Sequence, residues 1–348
     1  MTVSARAAEA VRTAIRDHGP IGFDEYMELA LYGPGGFYEE PPVGAEGDFV
    51  TSPHVHEVFA RLLGAGLREL GSLLGQPSPL RITEVGAGDG TLAAVLRMAL
   101  ADLSIVYTAV ERSPGARRAL HAAGIETAED VPAGSHLVLA HELLDNLPFR
   151  LLREGLEVRI DLEGDRLVEL RAEPDDELLQ LLDGPPSVPG ETVVPTGALA
   201  FVDLVAARLA DPGYVLLIDY GAVGETGGPV HGYRAHRIVE DPLADPGSAD
   251  ITAGVDLAWI SRRAASLGLT AYPSVTQRHA LSRLGFEAWI KEELARQAAQ
   301  LEASRGVEAV RTWSGRSRAT LLVDPAALGR MRWLLLATDG LPAPSFIA

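Results

Sequence analysis

The stretch Arg81-Ile82-Thr83-Glu84-Val85-Gly86-Ala87-Gly88-Asp89-Gly90-Thr91-Leu92 constrains the fold more than any other. A short β-branched strand runs into three glycines at alternate positions, and an Ala/Leu-rich helix over residues 93–103 follows. Glycine lets the backbone turn tightly and approach a ligand with no Cβ in the way. The start of the helix leaves N–H groups free to face whatever occupies the turn. This is a nucleotide-type cradle at the first strand of a doubly wound α/β sheet. An ordinary strand-turn-helix with surface acids is the bland alternative, and the next strand weighs against it. Residues 104–110 are apolar and lead into Glu111, an acid placed to accept from paired ribose hydroxyls.

A dinucleotide fingerprint needs a third glycine at its sixth position, where this chain has Thr91. That disfavours a nicotinamide-dependent enzyme. Glu84 instead stands two residues before Gly86, and the resulting E-x-G-x-G resembles motif I of class I S-adenosylmethionine-dependent methyltransferases.

With 348 residues the chain has room for one large domain with insertions or for two domains. Its mean hydropathy is only +0.10, and no apolar run approaches a membrane span. Residues 1–17 contain acids and read as an amphipathic helix with Ala7, Val11, Ala14 and Ile15 on one face, not as a secretory signal. A cytoplasmic location is therefore expected. The absence of cysteine excludes disulfides, thiolate zinc sites and cysteine nucleophiles. A net charge of −18 disfavours binding to a phosphate backbone and suits a small substrate or a basic protein. Lys291 is the single lysine, a bias that fits a GC-rich genome.

Along the chain, Leu31-Tyr32-Gly33-Pro34-Gly35-Gly36-Phe37-Tyr38 is a Gly/Pro loop with three aromatics. Gly47-Asp48-Phe49-Val50-Thr51-Ser52-Pro53 leads into a helix over 56–74, and unaided it reads as an N-cap. Residues 125–131 form a short strand ending near Asp130, which either contacts an adenine amino group or is a solvated turn acid. The fourth strand, 136–140, ends in His141-Glu142-Leu143-Leu144-Asp145, at the edge where ligands gather. Residues 150–194 read as a charged insertion. The fifth strand, 214–219, ends at Tyr220 on the same edge. The loop 222–250 reads as a lid or substrate wall containing Tyr233 and His236, with no spacing that fits a metal. Asp250-Ile251-Thr252 is expected to open a helix, 313–318 to be a glycine turn and 332–337 to be the closing strand.

These pieces occur, in order, in the MidA family, and the chain is identified as a member from Ala30-Leu31-Tyr32-Gly33-Pro34, Gly47-Asp48-Phe49-Val50-Thr51-Ser52-Pro53 and the E-x-G-x-G strand. Further matches are His141-Glu142-Leu143-Leu144-Asp145-Asn146-Leu147-Pro148, Leu217-Ile218-Asp219-Tyr220-Gly221 and Tyr233-Arg234-Ala235-His236-Arg237. The resemblance spans roughly residues 8–340. The family contains relatives of a mitochondrial arginine methyltransferase that acts in complex I assembly. It implies a class I methyltransferase, Rossmann-like seven-stranded sheet with an N-terminal helical cap over 1–75. A core over 76–348 would carry insertions at about 150–195 and 222–275 that form a second lobe.

The cofactor it implies is S-adenosylmethionine. The expected pocket comprises Asp48, Phe49, Thr51, Ser52, Glu84, Gly86, Gly88, Glu111, Arg112 and Asp130. His141, Glu142 and Tyr220 are the candidates for positioning or deprotonating the acceptor, with Asp145, Tyr233 and His236 binding it. The family usually has asparagine at the position of His141, and a histidine there can also take a proton. The expected reaction is N-methylation of an arginine on a protein partner. A small-molecule O- or N-methyltransferase and a non-catalytic respiratory-complex assembly factor are the competing readings. Neither nucleic acid nor membrane is expected as a partner, and a homodimer is compatible with the sequence.

Overall fold

The computed structural model describes residues 3–39, 51–182, 190–223, 229–234 and 237–348. Asp48, Phe49 and His236 lie outside them. The apolar runs after residue 80 pair into one mixed sheet. Its spatial order is Glu126–Ala128, Ile105–Val110, Leu80–Val85, Ser135–His141, Leu209–Asp219, Arg332–Ala337, and then Thr270–Ala271 with Val275–Thr276 at the edge. The first five strands are parallel, and Arg332–Ala337 runs antiparallel to its neighbours on both sides. The two edge segments flank Tyr272-Pro273-Ser274 and pair with the same strand. They act as one sixth strand, interrupted where proline has no N–H to give the ladder. The expected seven-stranded class I sheet is therefore present.

Alternation along the strands divides the core. Ile82, Leu137, Leu139, Leu216, Ile218, Trp333 and Leu335 face the helices Val58–Leu73, Thr91–Ala99 and Gln277–Arg283. Val138, Ala140, Val215, Leu217, Leu334 and Leu336 face Thr196–Arg208 and Leu257–Ser266. From the strand Leu80–Val85 the chain winds outward through two strands, then returns to Ser135–His141 on the other side. The order reverses between these two neighbours, and the crevice at their carboxyl ends is where such sheets hold ligands.

The N-terminal segment and the 150–194 insertion share one core. Ile21–Gly22 pairs with Leu156–Glu163, which also pairs with Arg150–Arg153 and Arg166–Ala172. Val11, Ile15, Phe23, Tyr26 and Met27 pack on Phe149, Leu151, Val158 and Ile160, joined by Leu243 and Ile251. The amphipathic first helix, Val3–His18, is part of this lobe.

Two expectations fail. Asp250–Thr252 is a strand paired with His231–Arg234, which also pairs with Arg237–Val239. Its burial alternates through Ile251, Ala253 and Val255, a period of two that overrides the helical reading. The helix starts later at Leu257, with the Asp256 carboxylate accepting from the Ala258 N–H at 2.9 Å. The supposed turn at 313–318 lies inside the helix Gly306–Ala319, where Gly315 fits against the His56 ring. Among the described residues no helix is long and apolar enough to cross a membrane.

Candidate active site

Gly86, Gly88 and Gly90 all have left-handed φ, at +74°, +55° and +83°. A Cβ on Gly86 would stand 3.0 Å from Leu143 Cδ1, and one on Gly90 would stand 2.9 Å from Leu120 Cδ2. Glu111, at the end of the neighbouring strand, accepts from the Gly88 N–H at 2.9 Å and, through its other oxygen, from the Ser113 N–H at 2.9 Å. The acid expected at the ribose therefore also sets the shape of the turn. Glu84 is buried beneath it and accepts from the Tyr107 hydroxyl at 2.5 Å. Burial pushes the Glu84 carboxyl up to about 8 against that hydrogen bond, so it supports the turn as a largely neutral acid.

A chain of side chains unforeseen from the sequence joins this turn to the segment before it. Thr51 Oγ1 lies 2.8 Å from His54 Nδ1, and His54 Nε2 lies 2.9 Å from Asp89 Oδ2. Asp89 also accepts from the Thr91 N–H and hydroxyl, each at 3.0 Å. Burial alone would raise the Asp89 carboxyl, but the bonds from His54 and Thr91 outweigh it and hold it below the usual carboxylate range. Ser52 sits elsewhere. It is fully buried, its hydroxyl is engaged by Gln277 and Met331, and only its main-chain N–H turns to the site, donating to Glu142 Oε1 at 3.3 Å.

Beyond the turn, the ends of the fourth and fifth strands form an acidic pocket. Glu142 has a left-handed φ of +52° and its N–H bonds the Ile218 carbonyl, which turns the loop out of the sheet. Asp219 holds that loop, accepting from the N–H groups of Leu143, Leu144 and Tyr220 at 3.0, 2.6 and 2.7 Å. Asp145 Oδ2 accepts from the Thr252 hydroxyl at 3.1 Å, while its Oδ1 is buried and receives no donor beyond a proton shared with the Asp219 carboxyl. Asp250 accepts from Tyr38 at 2.9 Å and Asn146 at 2.8 Å. Among the described residues, no arginine or lysine donates to any of these four carboxylates.

Burial is the leading cause in every case and the neighbouring acids add to it for Glu142, Asp219 and Asp250. Glu142 is pushed up to about 8, Asp250 to about 7 and Asp145 to about 6, and Asp219 is raised well above its ordinary value. The His141 ring is pushed down to about 3 by burial, with His54 adding to the effect, and so stays neutral. Its Nε2 lies 3.3 Å from Glu142 Oε1 without a hydrogen bond of acceptable geometry.

The Gly/Pro loop forms a roof. Tyr32 donates to the Asn146 carbonyl at 3.0 Å, Tyr38 to Asp250, and the Glu39 carbonyl accepts from Ser113 at 3.3 Å. Tyr32 stacks on Tyr38, with centroids 5.4 Å apart, and Arg112 lies 4.4 Å from the Tyr32 centroid while ion-paired with Glu28. Arg112 is thus bound to the roof. Asp130 is bonded to Arg208, which precedes the amino end of the fifth strand, and is not brought to the glycine turn. Tyr233 lies opposite Asp250 in the three-stranded sheet. Tyr220 borders the acids, with Arg330 5.7 Å from its ring centroid. The structure therefore gathers Thr51, Glu84, Gly86, Gly88 and Glu111 at one end of the crevice and His141, Glu142, Asp145 and Tyr220 at the other. It adds His54, Asp89, Asp219 and Asp250.

Residues 62–275, more than half of the chain, match the model of a family of S-adenosyl-L-methionine-dependent methyltransferases. The mitochondrial protein arginine methyltransferase NDUFAF7 homolog of Drosophila melanogaster is 32% identical, over 94% of this chain and 84% of that protein. Mitochondrial protein arginine methyltransferase NDUFAF7 of Danio rerio is 29% identical, over 78% and 74%. A Burkholderia thailandensis protein crystallised with S-adenosylhomocysteine superposes with a TM-score of 0.82 at 24% identity, covering 99% of this chain and 95% of its own. A native crystal structure of a Burkholderia thailandensis protein gives the same TM-score at 26% identity, over 99% and 94%.

Proposed function

The chain belongs to the family of S-adenosylmethionine-dependent methyltransferases, and from that premise we propose that it N-methylates an arginine side chain of a protein partner. The observation that carries the acceptor is the buried acidic pocket, four carboxylates with no arginine or lysine bonded to them among the described residues. A planar guanidinium supplies the paired donors that Glu142 and Asp145 lack, and such charge-assisted pairs are the strong ones. The relatives named as arginine methyltransferases support the same acceptor.

The cofactor supplies an activated methyl group on a sulfonium, so the chain's own task is alignment and exclusion of water. The left-handed glycines let the main chain approach without a Cβ, and Glu111 and Thr51 offer oxygens at the two sides of the turn. The roof of Tyr32 and Tyr38 closes the crevice from above. On methylation the acceptor nitrogen gains a carbon and loses a proton, remaining a monocation. Glu142, at the mouth of the pocket, is the group we assign to take that proton. Tyr220, raised by burial and by Glu142, stays a phenol. His141 stays neutral and shapes the wall.

The test is incubation with methyl-labelled cofactor and arginine-containing proteins, followed by mapping of the label. Label on arginine nitrogen, lost in Glu142→Gln, is the expected result. Label confined to a hydroxyl or to a small molecule would replace the reading with the small-molecule one.

A further inference from the structure

Burying four carboxylates with no compensating cation is so costly that such groups keep protons instead. Glu142, Asp145, Asp219 and Asp250 come from three separate parts of the chain, yet they converge on one pocket. Two of them are fully engaged. Asp219 accepts three main-chain N–H bonds, and Asp250 is held by Tyr38 and Asn146. The other two are less engaged: Glu142 receives only the long bond from Ser52, and Asp145 Oδ1 receives no donor beyond a proton shared with the Asp219 carboxyl. His141, whose side chain is 6% exposed, points an unpartnered Nε2 at the same place, 3.3 Å from Glu142 Oε1. Buried polar atoms are rarely left unpaired, and those short of partners that converge on one acidic pocket mark where a ligand's donors belong.

We propose that this pocket is a cation exchanger: protons shared among Glu142, Asp145, Asp219 and Asp250 fill it while it is empty, and an entering guanidinium displaces them. The identity of the cation rests on the arginine reading above. Exchange makes Glu142 a base only once an acceptor is in place, because the guanidinium's charge is what allows the carboxylate to ionise. The titratable groups facing the cluster do not substitute for that cation. His141 is neutral and buried, Tyr220, Tyr32 and Tyr38 are phenols whose acidity burial suppresses, and His231 acts on Asp145 only through space. Arg112 and Arg330 lie against the rings of Tyr32 and Tyr220. A neutral isostere carries no charge to exchange and should be refused.

Calorimetric titration of the full-length protein, saturated with S-adenosylhomocysteine, tests this with N-acetylarginine methylamide at millimolar concentration. The titration is run near pH 7 in two buffers of different ionisation enthalpy. The expected result is a buffer-dependent heat that corresponds to release of about one proton or more per probe bound, with at least tenfold weaker binding of the citrulline analogue. Asp250→Asn, which keeps its shape and its bond from Tyr38, should lower the protons released. Glu142→Gln provides a second variant that leaves the loop-holding bonds of Asp219 intact. Heat that is independent of buffer, equal binding of the citrulline analogue, or no binding of the arginine probe to cofactor-loaded protein overturns the proposal. Methylation of peptide arginine without proton release would remove the exchange and leave the arginine reading. Proton-releasing binding of the probe, with label found only on another group, would do the reverse.

Discussion

Two residues at the mouth of the crevice have backbones that their side chains alone do not explain. Gly86 has a φ of +74°, and a Cβ there would press on Leu143, the residue after Glu142. Gly86→Ala adds about 1–2 kcal/mol of left-handed strain and displaces the acceptor loop. Cofactor affinity should therefore fall at least tenfold in calorimetry while far-UV circular dichroism stays that of the parent. Glu142 adopts the same backbone region with a full side chain, the kind of outlier that function tends to retain. Glu142→Gln should bind the cofactor as the parent does and lose about 10²–10⁴ in turnover, the usual worth of a proton acceptor. Gly86, Gly88, Glu84 and Glu111 were legible because the chemistry of a strand, a tight turn and the next strand's end is written within 31 residues of sequence. Asp219 and Asp250 were not. A buried acid after an apolar strand looks like any strand-end acid until its neighbours in space are known.

Between elements, the bond from His54 to Asp89 ties the turn before one helix to the turn before another. His54→Ala removes it and leaves Asp89 half-buried with only Thr91 for company. The expected consequence is about 1–2 kcal/mol lost from cofactor binding, or roughly tenfold in Kd, since bonds to a charged acceptor lie at the upper end of the usual range. His54→Gln, whose amide can donate at a similar reach, should recover part of it. Titration with S-adenosylhomocysteine measures both. Family resemblance points to the Thr-Ser-Pro segment as part of the pocket, but neither propensity nor spacing links residue 54 to residue 89. At this scale the misreadings were periodic ones. Asp250–Thr252 carries a helix-like polar start, yet the alternation of Ile251, Ala253 and Val255 settles it as extended. Gly315 has the look of a breaker in sequence, but a glycine inside a helix also lets a neighbouring ring come close.

Across the whole molecule, the buried acids set how stability depends on pH. Glu84, Glu142, Asp145 and Asp250 have folded values near 8, 8, 6 and 7, all above their ordinary ones. Between about pH 4 and 8 the folded, ligand-free protein therefore holds more protons than the unfolded chain, and stability falls as pH rises through that window. His141, His56 and His136 work the other way, because burial lowers them and so costs stability as pH falls below about 6.5, but the four acids act across the wider range and up to higher pH. Thermal unfolding from pH 5 to 8.5 should show a midpoint that declines with pH, with a shallower slope in Glu142→Gln. The doubly wound class was readable from alternating strands and helices, but the spatial order of the strands was not. The union of the N-terminal helices with the 150–194 segment was not, because its evidence is a pairing of Ile21 with Ile160. That pairing also imposes a waiting time. A ribosome adding about 5–20 residues per second needs roughly 7–28 s to deliver residue 160 after residue 21. For that interval Val11, Phe23, Tyr26 and Met27 have emerged with nothing to cover them, which makes the start of this chain a natural client for whatever shields nascent apolar surface.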